Sequence, residues 1–382
     1  MNVESLLRDL VELETVNPPG TNYEDFGRLI REKFEELGFQ VQLIEIPDEF
    51  MDRNYIYSPR HRGNRRVIVL ARNDPEPKLH FNLHYDVVPP GDGWKTHPFQ
   101  LKIVEDRAYG RGTSDMKGAM VSLYSALKIF NDLPIEIAFV PDEESGGIGT
   151  KYLVEKHGVR AKNVIFGEPS FPDIYIGHFG IIRGIVKVFG KQVHASKAKE
   201  GVNAFLEASR LALEIQRRYS SKEGRDNMDE PTVNLGGYVE GSTSDGIVPG
   251  TFAFSLYRSV SPNDKRGPEF DREVVEEAVG ELGIKHEFEI KSFVPGSMTN
   301  PSSHMARAME TCIKTHLGWE PRKMVANIRY DAVFYGNADA VNFGPGEPDQ
   351  AHVPNEYVNL RNVEKVSLVY ECIMRSSPRV LL

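Results

Sequence analysis

The chain has few cysteines and no long apolar run. Its 382 residues include only two cysteines, Cys312 and Cys372, which are too few for a disulfide framework and badly spaced for a metal knuckle. We expect both to be reduced thiols in the core, since free cysteines are usually buried. No segment approaches the roughly 18 to 20 apolar residues of a membrane span, and the first residues, MNVESLLRDLVELE, show an acidic amphipathic pattern without a signal segment. These absences predict a cytoplasmic protein that does not bind membranes.

An excess of positive charge is also absent. The chain has 46 basic and 55 acidic residues, which gives a net charge of −9 and argues against nucleic acid or anionic membranes as partners. Small substrates are not excluded, because a local site can carry the opposite sign. A hydrophobic fraction of 40% and a charged fraction of 26% are typical of soluble globular proteins, and the length predicts about two domains.

Strand-like and helix-like segments alternate in the first half of the chain. Apolar runs that end in polar residues occupy 67–72, 78–88, 135–144 and 163–170, and a helical pattern occupies 116–130. This alternation predicts an α/β fold with a mostly parallel sheet and helices on both faces. Ligands bind at the carboxyl ends of the strands in such sheets, so we expect the functional site at the polar strand ends.

The pattern changes from about residue 178. Alternating strand patterns and two helical segments form a compact α+β unit of roughly 120 residues, enough for a domain of its own. The helix and strand pattern of the first part then returns. We therefore predict one α/β domain, made of residues 1–177 and 297–382, that is interrupted by an inserted domain of residues 178–296.

Two histidines and several carboxylates stand at the ends of different strands or loops. In chain order they are His84, Asp86, Asp115, Glu143, Glu144, Glu168 and His352. Imidazoles with carboxylates bind borderline divalent cations, zinc above all, with cobalt or manganese as alternatives. Two such metals need a bridging carboxylate, and together they polarise a carbonyl and generate hydroxide from water. A His-x-Asp pair alone is weak evidence for a metal site, but the whole set of residues predicts one.

Six segments carry a resemblance to a known family. In chain order they are HYDVVPPGDGW, YGRGTSDMKGAM, PDEESGG, GEPS, HASKAKEGVNA and GPGEPDQAHVPNEYV. In order and spacing they resemble the motifs of the M20 metallopeptidases, and more narrowly those of the acetylornithine deacetylase and succinyl-diaminopimelate desuccinylase branch. The likeness extends from residue 16 to residue 358, so it covers nearly the whole chain.

The resemblance implies a role for each residue of the metal site. Asp115 matches the carboxylate that bridges two metal ions. His84 and Glu168 match the other ligands of one metal, and Glu144 and His352 match those of the second. The peptide bond that follows the bridging aspartate is expected to be cis.

The resemblance also implies catalytic roles. Glu143 matches the general base that takes a proton from the attacking water and passes it to the leaving amine. Asp86 matches the acid that hydrogen-bonds and orients His84. His194, in the inserted domain, matches a histidine that reaches the partner subunit's site and stabilises the oxyanion. A homodimer formed through the inserted domain, which would act as a lid, is therefore expected.

Substrate contacts are less well defined. Arg183 and Arg258 match lid arginines that hold a substrate carboxylate. Where the branch often has Thr-(Ser)-Asp-x-Arg, this chain has NIRYDAVF: Asp331 is retained, Val333 replaces the arginine, and Arg329 lies two residues before the aspartate. Arg329 is thus a third candidate. The acyl group and the amino acid stay open.

The predicted function is hydrolysis of the amide of an N-acyl amino acid or small peptide, which releases a free amine and a carboxylate. A dipeptidase or carboxypeptidase with the same machinery is the alternative within this class. A catalytically silent homologue that binds an amino-acid-like ligand is the alternative from another class. The presence of Glu143 together with all five ligands argues against a silent protein.

Four further residues receive other assignments. His80 is predicted to pack in the core, and Trp94 is predicted to be a packing anchor. Asp142 is predicted to be a solvated or loop-bonding acid. Glu356 is left open between orienting neighbouring backbone and orienting a ligand.

Overall fold

The computed structural model describes residues 3–222, 232–242 and 244–380. Its α-helices are α1 (Val3–Glu12), α2 (Tyr23–Glu35), α3 (Asp48–Asn54), α4 (Gly118–Ile129), α5 (Ile148–Glu155), α6 (Ala204–Lys222), α7 (Gly267–Leu282), α8 (His304–Leu317) and α9 (Leu360–Val380). Within these described ranges, no helix is both long and apolar enough to cross a lipid bilayer.

Eighteen strands are assigned in the same ranges. They are β1 (Gln40–Ile46), β2 (Arg66–Arg72), β3 (Leu79–His84), β4 (Lys102–Val104), β5 (Arg107–Tyr109), β6 (Ile135–Val140), β7 (Asn163–Pro169), β8 (Ile174–His178), β9 (Gly180–Phe189), β10 (Val193–His194), β11 (Val233–Glu240), β12 (Ile247–Val248), β13 (Thr251–Val260), β14 (His286–Val294), β15 (Ser297–Met298), β16 (Lys323–Ala326), β17 (Asp339–Gly344) and β18 (Tyr357–Asn359).

The chain divides into two compact units. The first comprises Met1–Gly177, Met298–Met324 and Tyr330–Leu382, and the second comprises His178–Ser297 and Val325–Arg329. The second unit's long segment ends one residue beyond the inserted domain predicted from the sequence. The short segment Val325–Arg329 also belongs to this unit, whereas the sequence predicts it to be part of the α/β domain.

The first unit is built on a nine-stranded sheet. Its order is β1-β2-β6-β3-β7-β17-β8-β15, with β16 beside β8. The central strands β6, β3, β7 and β17 run parallel to one another, whereas β1, β2 and β6 pair antiparallel. The predicted α/β fold with a mostly parallel sheet is therefore confirmed.

Helices cover both faces of this sheet because successive strand residues point to opposite sides. Along β6, Ile137 and Phe139 join a core cluster with residues of α1, α2, α4, α8 and α9. Ala138 and Val140 join a second cluster that includes Met51 of α3. Burying each large apolar side chain of these clusters stabilises the fold by roughly 1.5 to 3 kcal/mol.

The parallel strands also position the functional side chains. His84 is the last residue of β3, and Glu168 is the penultimate residue of β7. Glu143 and Glu144 follow the end of β6 by three and four residues. Since these strands are parallel neighbours, their carboxyl ends meet at one edge of the sheet, where ligands bind in this class of fold.

The second unit is an α+β structure. Its main sheet has four strands that pair antiparallel in the order β11-β13-β9-β14, and β10 pairs with β12 in a separate two-stranded sheet. Residues at alternate positions of β9, such as Val186 and Val188, pack with Leu211 of α6 and Val274 of α7. The apolar stripe of each helix is thus buried against the sheet.

The expectation of two reduced thiols is wrong. Cys312 on α8 and Cys372 on α9 form a disulfide, with 5.8 Å between their Cα atoms. The two residues are 60 positions apart in the chain, so only the packing of α8 on α9 brings them together. Disulfides are uncommon in reducing cytosol outside hyperthermophiles, so this bridge does not support the cytoplasmic location, which stays a prediction.

The disulfide should stabilise the first unit. Closing a loop of 60 residues restricts the unfolded chain by about 4 kcal/mol in the loop-entropy treatment. We expect the double variant C312S/C372S to unfold at a lower denaturant concentration than the wild type. Urea unfolding with and without reductant measures this, and equal midpoints for the two proteins would contradict the expectation.

Candidate metal centre

The carboxylate of Asp115 lies between two groups of ligand atoms. Its Oδ1 is 3.0 Å from Nε2 of His84, and its Oδ2 is 3.5 Å from Nε2 of His352. Glu168 completes the first group and Glu144 completes the second, with the ligand atoms of each group within 4.8 Å of one another. All five predicted ligands are therefore brought together, and Asp115 belongs to both groups.

Each ligand is supplied by a different element. His84 and Glu168 come from the parallel strands β3 and β7, and Glu144 comes from the turn after β6. Asp115 lies in the kinked segment Thr113–Lys117 directly before α4, with non-helical backbone angles (φ −119°, ψ 93°), and the peptide bond after it is cis, as expected. His352 lies in the loop before β18, in a left-handed backbone conformation.

The site concentrates negative charge away from water. The side chains of Asp115, Glu144 and Glu168 are each less than 10% exposed. Burial raises the pKa of Glu168 to about 8, and burial together with the Asp115 charge raises the pKa of Glu144. Buried carboxylates are costly unless they are paired with cations. This donor set of imidazoles and carboxylates fits a divalent cation in each group.

Glu143 stands beside this centre but in neither ligand group of the described residues. It is largely buried and precedes the ligand Glu144. The chain turns sharply here, because Asp142, Gly146 and Gly147 have positive φ values, a conformation that glycine adopts readily and aspartate tolerates. Neighbouring carboxylates are thus presented together at the end of β6.

Asp86 fixes this turn. Its carboxylate accepts the main-chain N–H groups of Glu143, at 3.1 Å, and Glu144, at 3.2 Å, and the Asn17 amide at 2.9 Å. Nδ1 of His84 lies 3.0 Å from the main-chain oxygen of Asp86 but 3.7 Å from its carboxylate. The predicted contact between this carboxylate and His84 is therefore corrected: the main-chain oxygen orients the imidazole, because the carboxylate is directed at three other donors.

The prediction that Asp142 is a solvated or loop-bonding acid is wrong. Its carboxylate is fully buried, where Nε of Arg66 donates to Oδ2 at 3.1 Å and the Tyr23 hydroxyl donates to Oδ1 at 3.0 Å. Burial raises the pKa of Asp142 to about 7, against the opposing effect of Arg66. Arg66 begins β2, 76 positions earlier, so no local sequence pattern indicated this ion pair.

His80 is buried, as expected, but it is part of a polar network. Its Nδ1 lies 2.7 Å from the Glu136 carboxylate, and its Nε2 lies 2.7 Å from the Tyr335 hydroxyl. The Asn82 amide donates to Tyr335 at 2.8 Å and to Thr150 at 2.9 Å. The alternation of His80, Asn82 and His84 along β3 could have indicated that this face of the sheet is polar.

Trp94 and Glu356 both contact the loop that carries Asp115. The Arg111 guanidinium lies 5.3 Å from the Trp94 ring centroid, and the indole N–H donates to the Pro90 carbonyl at 2.8 Å. Trp94 therefore packs as predicted. Of the two alternatives for Glu356, the structure shows hydrogen bonds to neighbouring backbone.

Three predicted site residues lie in the second unit with exposed or half-buried side chains. His194 is exposed, and its Nδ1 accepts the main-chain N–H of Ser196 at 3.2 Å. Arg183 is exposed, with its guanidinium 5.9 Å from the ring centroid of Tyr257. Arg329 is half-buried.

The prediction that Arg258 holds a substrate carboxylate is not supported. Arg258 is fully buried, and its guanidinium donates to both carboxylate oxygens of Asp271, at 2.8 and 2.9 Å, and to Asp264 at 3.1 Å. The planar guanidinium is already paired with a carboxylate of the same chain through two hydrogen bonds. Arg258 is therefore a structural residue of the second unit.

The protonation state of the ligands predicts a pH dependence of metal binding. The hydrogen bond to Glu144 raises the pKa of His352 to about 9, and burial raises that of Glu168 to about 8. Both groups are therefore protonated in the metal-free protein at pH 7, whereas metal ligation needs them deprotonated. We expect zinc binding at pH 7 to release protons and to tighten as the pH rises.

Calorimetric titration with zinc in two buffers of different ionisation enthalpy measures this release. The binding enthalpy should differ between the buffers, with at least one proton released per chain. Identical enthalpies in both buffers would contradict the assignment of these groups as ligands.

Comparisons with known proteins show the family of the chain. The sequence profile of Peptidase family M20/M25/M40 matches residues 80–376. The chain is 26% identical to a succinyl-diaminopimelate desuccinylase of Nautilia profundicola, covering 97% of this chain and 98% of that protein. It is 28% identical to an acetylornithine deacetylase of Salmonella arizonae, covering 87% and 85%.

A solved structure is also similar. The M20 family metallo-carboxypeptidase Sso-CP2 from Sulfolobus solfataricus superimposes with a TM-score of 0.76 at 20% identity, covering 99% of this chain and 100% of that one. This likeness supports the fold, and the matched profile confirms the resemblance that the six motifs carry. The chain therefore belongs to peptidase family M20/M25/M40 and is a metal-dependent hydrolase.

Proposed function

We propose that the protein is a two-metal amidohydrolase that cleaves a small N-acyl amino acid into a free amine and a carboxylate. The observation that carries this proposal is the Asp115 carboxylate, whose two oxygens face two separate ligand groups. The deacylase names of the relatives support the substrate class. When bound, two divalent cations, zinc by our proposal, would polarise the scissile carbonyl and acidify the attacking water.

Glu143 is the proposed general base. It would take a proton from the attacking water and hand it to the leaving amine, a step that contributes typically 10²- to 10⁴-fold to the rate. Its position is supported by the adjacent ligand Glu144 and by Asp86, which holds the main-chain N–H of both residues. Asp86 thus acts as a positioning residue.

His194 is the proposed donor to the oxyanion. Nδ1 lies 2.8 Å from the Ser196 hydroxyl and 3.2 Å from the Ser196 main-chain nitrogen. In the tautomer in which Nδ1 accepts from both groups, the ring proton is on Nε2. An exposed Nε2–H is suited to donate a hydrogen bond to the oxygen on which negative charge develops. The histidine would serve the active site of a partner subunit.

A homodimer through the second unit is the proposed assembly. Helix α6 exposes Phe205, Leu206 and Leu213, of which Leu213 is 74% exposed. Strand β11 lies at the edge of its sheet and exposes Tyr238 and Val239. Exposed apolar groups beside an open strand edge favour pairing with another chain.

The substrate's carboxylate is the proposed partner of Arg183 and Arg329, since a planar guanidinium suits a carboxylate. The replacement of the branch's arginine by Val333 keeps a dipeptidase or carboxypeptidase as the second candidate. A catalytically silent homologue is disfavoured, because Glu143 is retained beside the complete ligand set.

A substrate panel tests the proposed reaction. Release of free amine is measured with N-acetyl amino acids, N-succinyl amino acids and dipeptides, in the presence of zinc or cobalt. We expect an N-acyl amino acid to give the highest kcat/KM. Faster hydrolysis of dipeptides would favour the peptidase, and no turnover of any compound would favour the silent homologue.

Substitution of the two adjacent glutamates should separate base from ligand. We expect E143Q to keep about two metals per chain while turnover falls about 10²- to 10⁴-fold, as for loss of a general base. E144Q should lose one metal, because it removes a ligand of the second group. Elemental analysis with activity assays measures both, and an active E143Q would refute the assignment of the base.

Mixing two inactive variants tests whether His194 acts across a dimer. In a heterodimer of H194A and E143Q, one site combines an intact Glu143 with an intact His194 from the other chain. Unfolding and refolding a one-to-one mixture should therefore restore about a quarter of the wild-type activity, given random pairing in a two-fold dimer. A mixture that stays inactive while forming dimers would contradict action in trans.

A further inference from the structure

Glu356 is a fully buried carboxylate with four hydrogen-bond donors around it. Its Oε2 accepts from Nη1 of Arg111 at 2.8 Å and from the main-chain N–H of Gly112 at 2.9 Å. Its Oε1 accepts the main-chain N–H groups of Ser114, at 2.8 Å, and Asp115, at 3.1 Å. Main-chain donors of one loop therefore converge on one side chain, and that loop carries the carboxylate shared by both ligand groups.

Arg111 connects this carboxylate to another part of its own loop and to one further loop. Its guanidinium donates to the Val353 carbonyl at 3.3 Å and to the Pro90 carbonyl at 3.2 Å. One side of it packs near the Trp94 ring, 5.3 Å from the centroid. Since Arg111 is 2% exposed, its ion pair with Glu356 is shielded from solvent, where charge-assisted hydrogen bonds are strong.

The position of Glu356 in the chain gives this ion pair its significance. Glu356 lies four residues after His352, a ligand of the second group, and it holds the main chain of Asp115, which both groups share. Asp86 holds the turn that contains Glu144. The Asn342 side chain accepts the main-chain N–H of Glu168 and donates to its carbonyl. The Asn342 contact fixes a single ligand, whereas Glu356 ties two ligand loops to each other, as Asp86 ties the His84 strand end to the Glu144 turn.

We propose that Glu356, held by Arg111, is a positioning residue that sets the distance between the two metal-binding groups. It acts through the main chain of Asp115 and through its own link to the His352 loop. The proposal rests on the two-metal site proposed above. Its consequence is that Glu356 controls metal affinity without being a ligand.

The variant E356Q tests this role. An amide in place of the carboxylate turns an NH₂ group towards N–H donors, so at least one pair of hydrogen bonds is lost. Partners that orient metal ligands typically change metal affinity by about 10- to 100-fold, so we expect both Co²⁺ dissociation constants to rise by such a factor. The visible absorption bands of bound Co²⁺ should shift as well, because the ligand geometry changes.

The measurement is a Co²⁺ titration followed by calorimetry and visible absorption. Burial raises the pKa of Glu356 to about 7, so the titration is run at about pH 8.5, where the wild-type carboxylate is ionised. The matched control is E136Q, which changes another buried glutamate of the same unit that is paired with Arg72 and His80. We expect E136Q to lower the Tm but to keep the wild-type Co²⁺ affinity and spectrum.

A second variant covers the case in which E356Q does not fold. R111K keeps a positive charge beside Glu356, but a single ammonium does not reproduce the planar fork that also reaches Pro90 and Val353. We expect R111K to weaken Co²⁺ binding, by less than E356Q does.

The outcomes separate the two proposals. Wild-type protein that does not bind two Co²⁺ ions would overturn the two-metal site itself. Wild-type binding of two ions with unchanged affinity and spectrum in E356Q, or in R111K if E356Q is unfolded, would overturn the role of Glu356 alone. Equal losses of affinity in E356Q and E136Q would also overturn it, because they would reflect general destabilisation.

Discussion

The structure depends on how buried negative charge is compensated around Asp115. Three carboxylates lie at one edge of a parallel sheet, almost excluded from water, with two imidazoles beside them. Burial alone would force such groups to take up protons, as the raised pKa values of Glu168 and Glu144 indicate. Divalent cations remove this cost and use the same oxygen and nitrogen atoms as ligands. The fold therefore places together a set of groups that could hold divalent cations.

The surrounding side chains hold the ligand loops by their main chain. Asp86, Asn342 and Glu356 are all buried, and each accepts N–H groups next to a ligand or of the ligand itself. Because these contacts fix the backbone, the carboxylates that would face the cations are left to coordinate them. Catalytic groups held in this way need little reorganisation when substrate binds. The positions of Glu143 and of the ligands are thus consequences of one connected polar framework.

The sequence predicted the parts that depend on local pattern. Alternating strands and helices predicted the sheet, and the polar strand ends located residues of the candidate metal centre. It did not predict pairings that depend on tertiary structure, such as Asp142 with Arg66, 76 positions away, or Cys312 with Cys372, 60 positions away. Arg258 matched a substrate contact by motif, but acids that follow it in the chain bind its guanidinium. The motifs predicted the chemistry of the metal centre. Tertiary packing determines which charged side chains are free to contact a substrate and which, like Arg258, are already paired within the chain.

The central claim is that Asp115 joins two metal ions in one hydrolytic centre. An anomalous difference map from crystals of the zinc-loaded protein, recorded at the zinc absorption edge, tests it most directly. The account predicts two peaks about 3.5 to 4 Å apart, one beside His84 and Glu168 and the other beside Glu144 and His352, with the Asp115 carboxylate between them. A single peak, or two peaks with Asp115 bound to only one, would contradict the account.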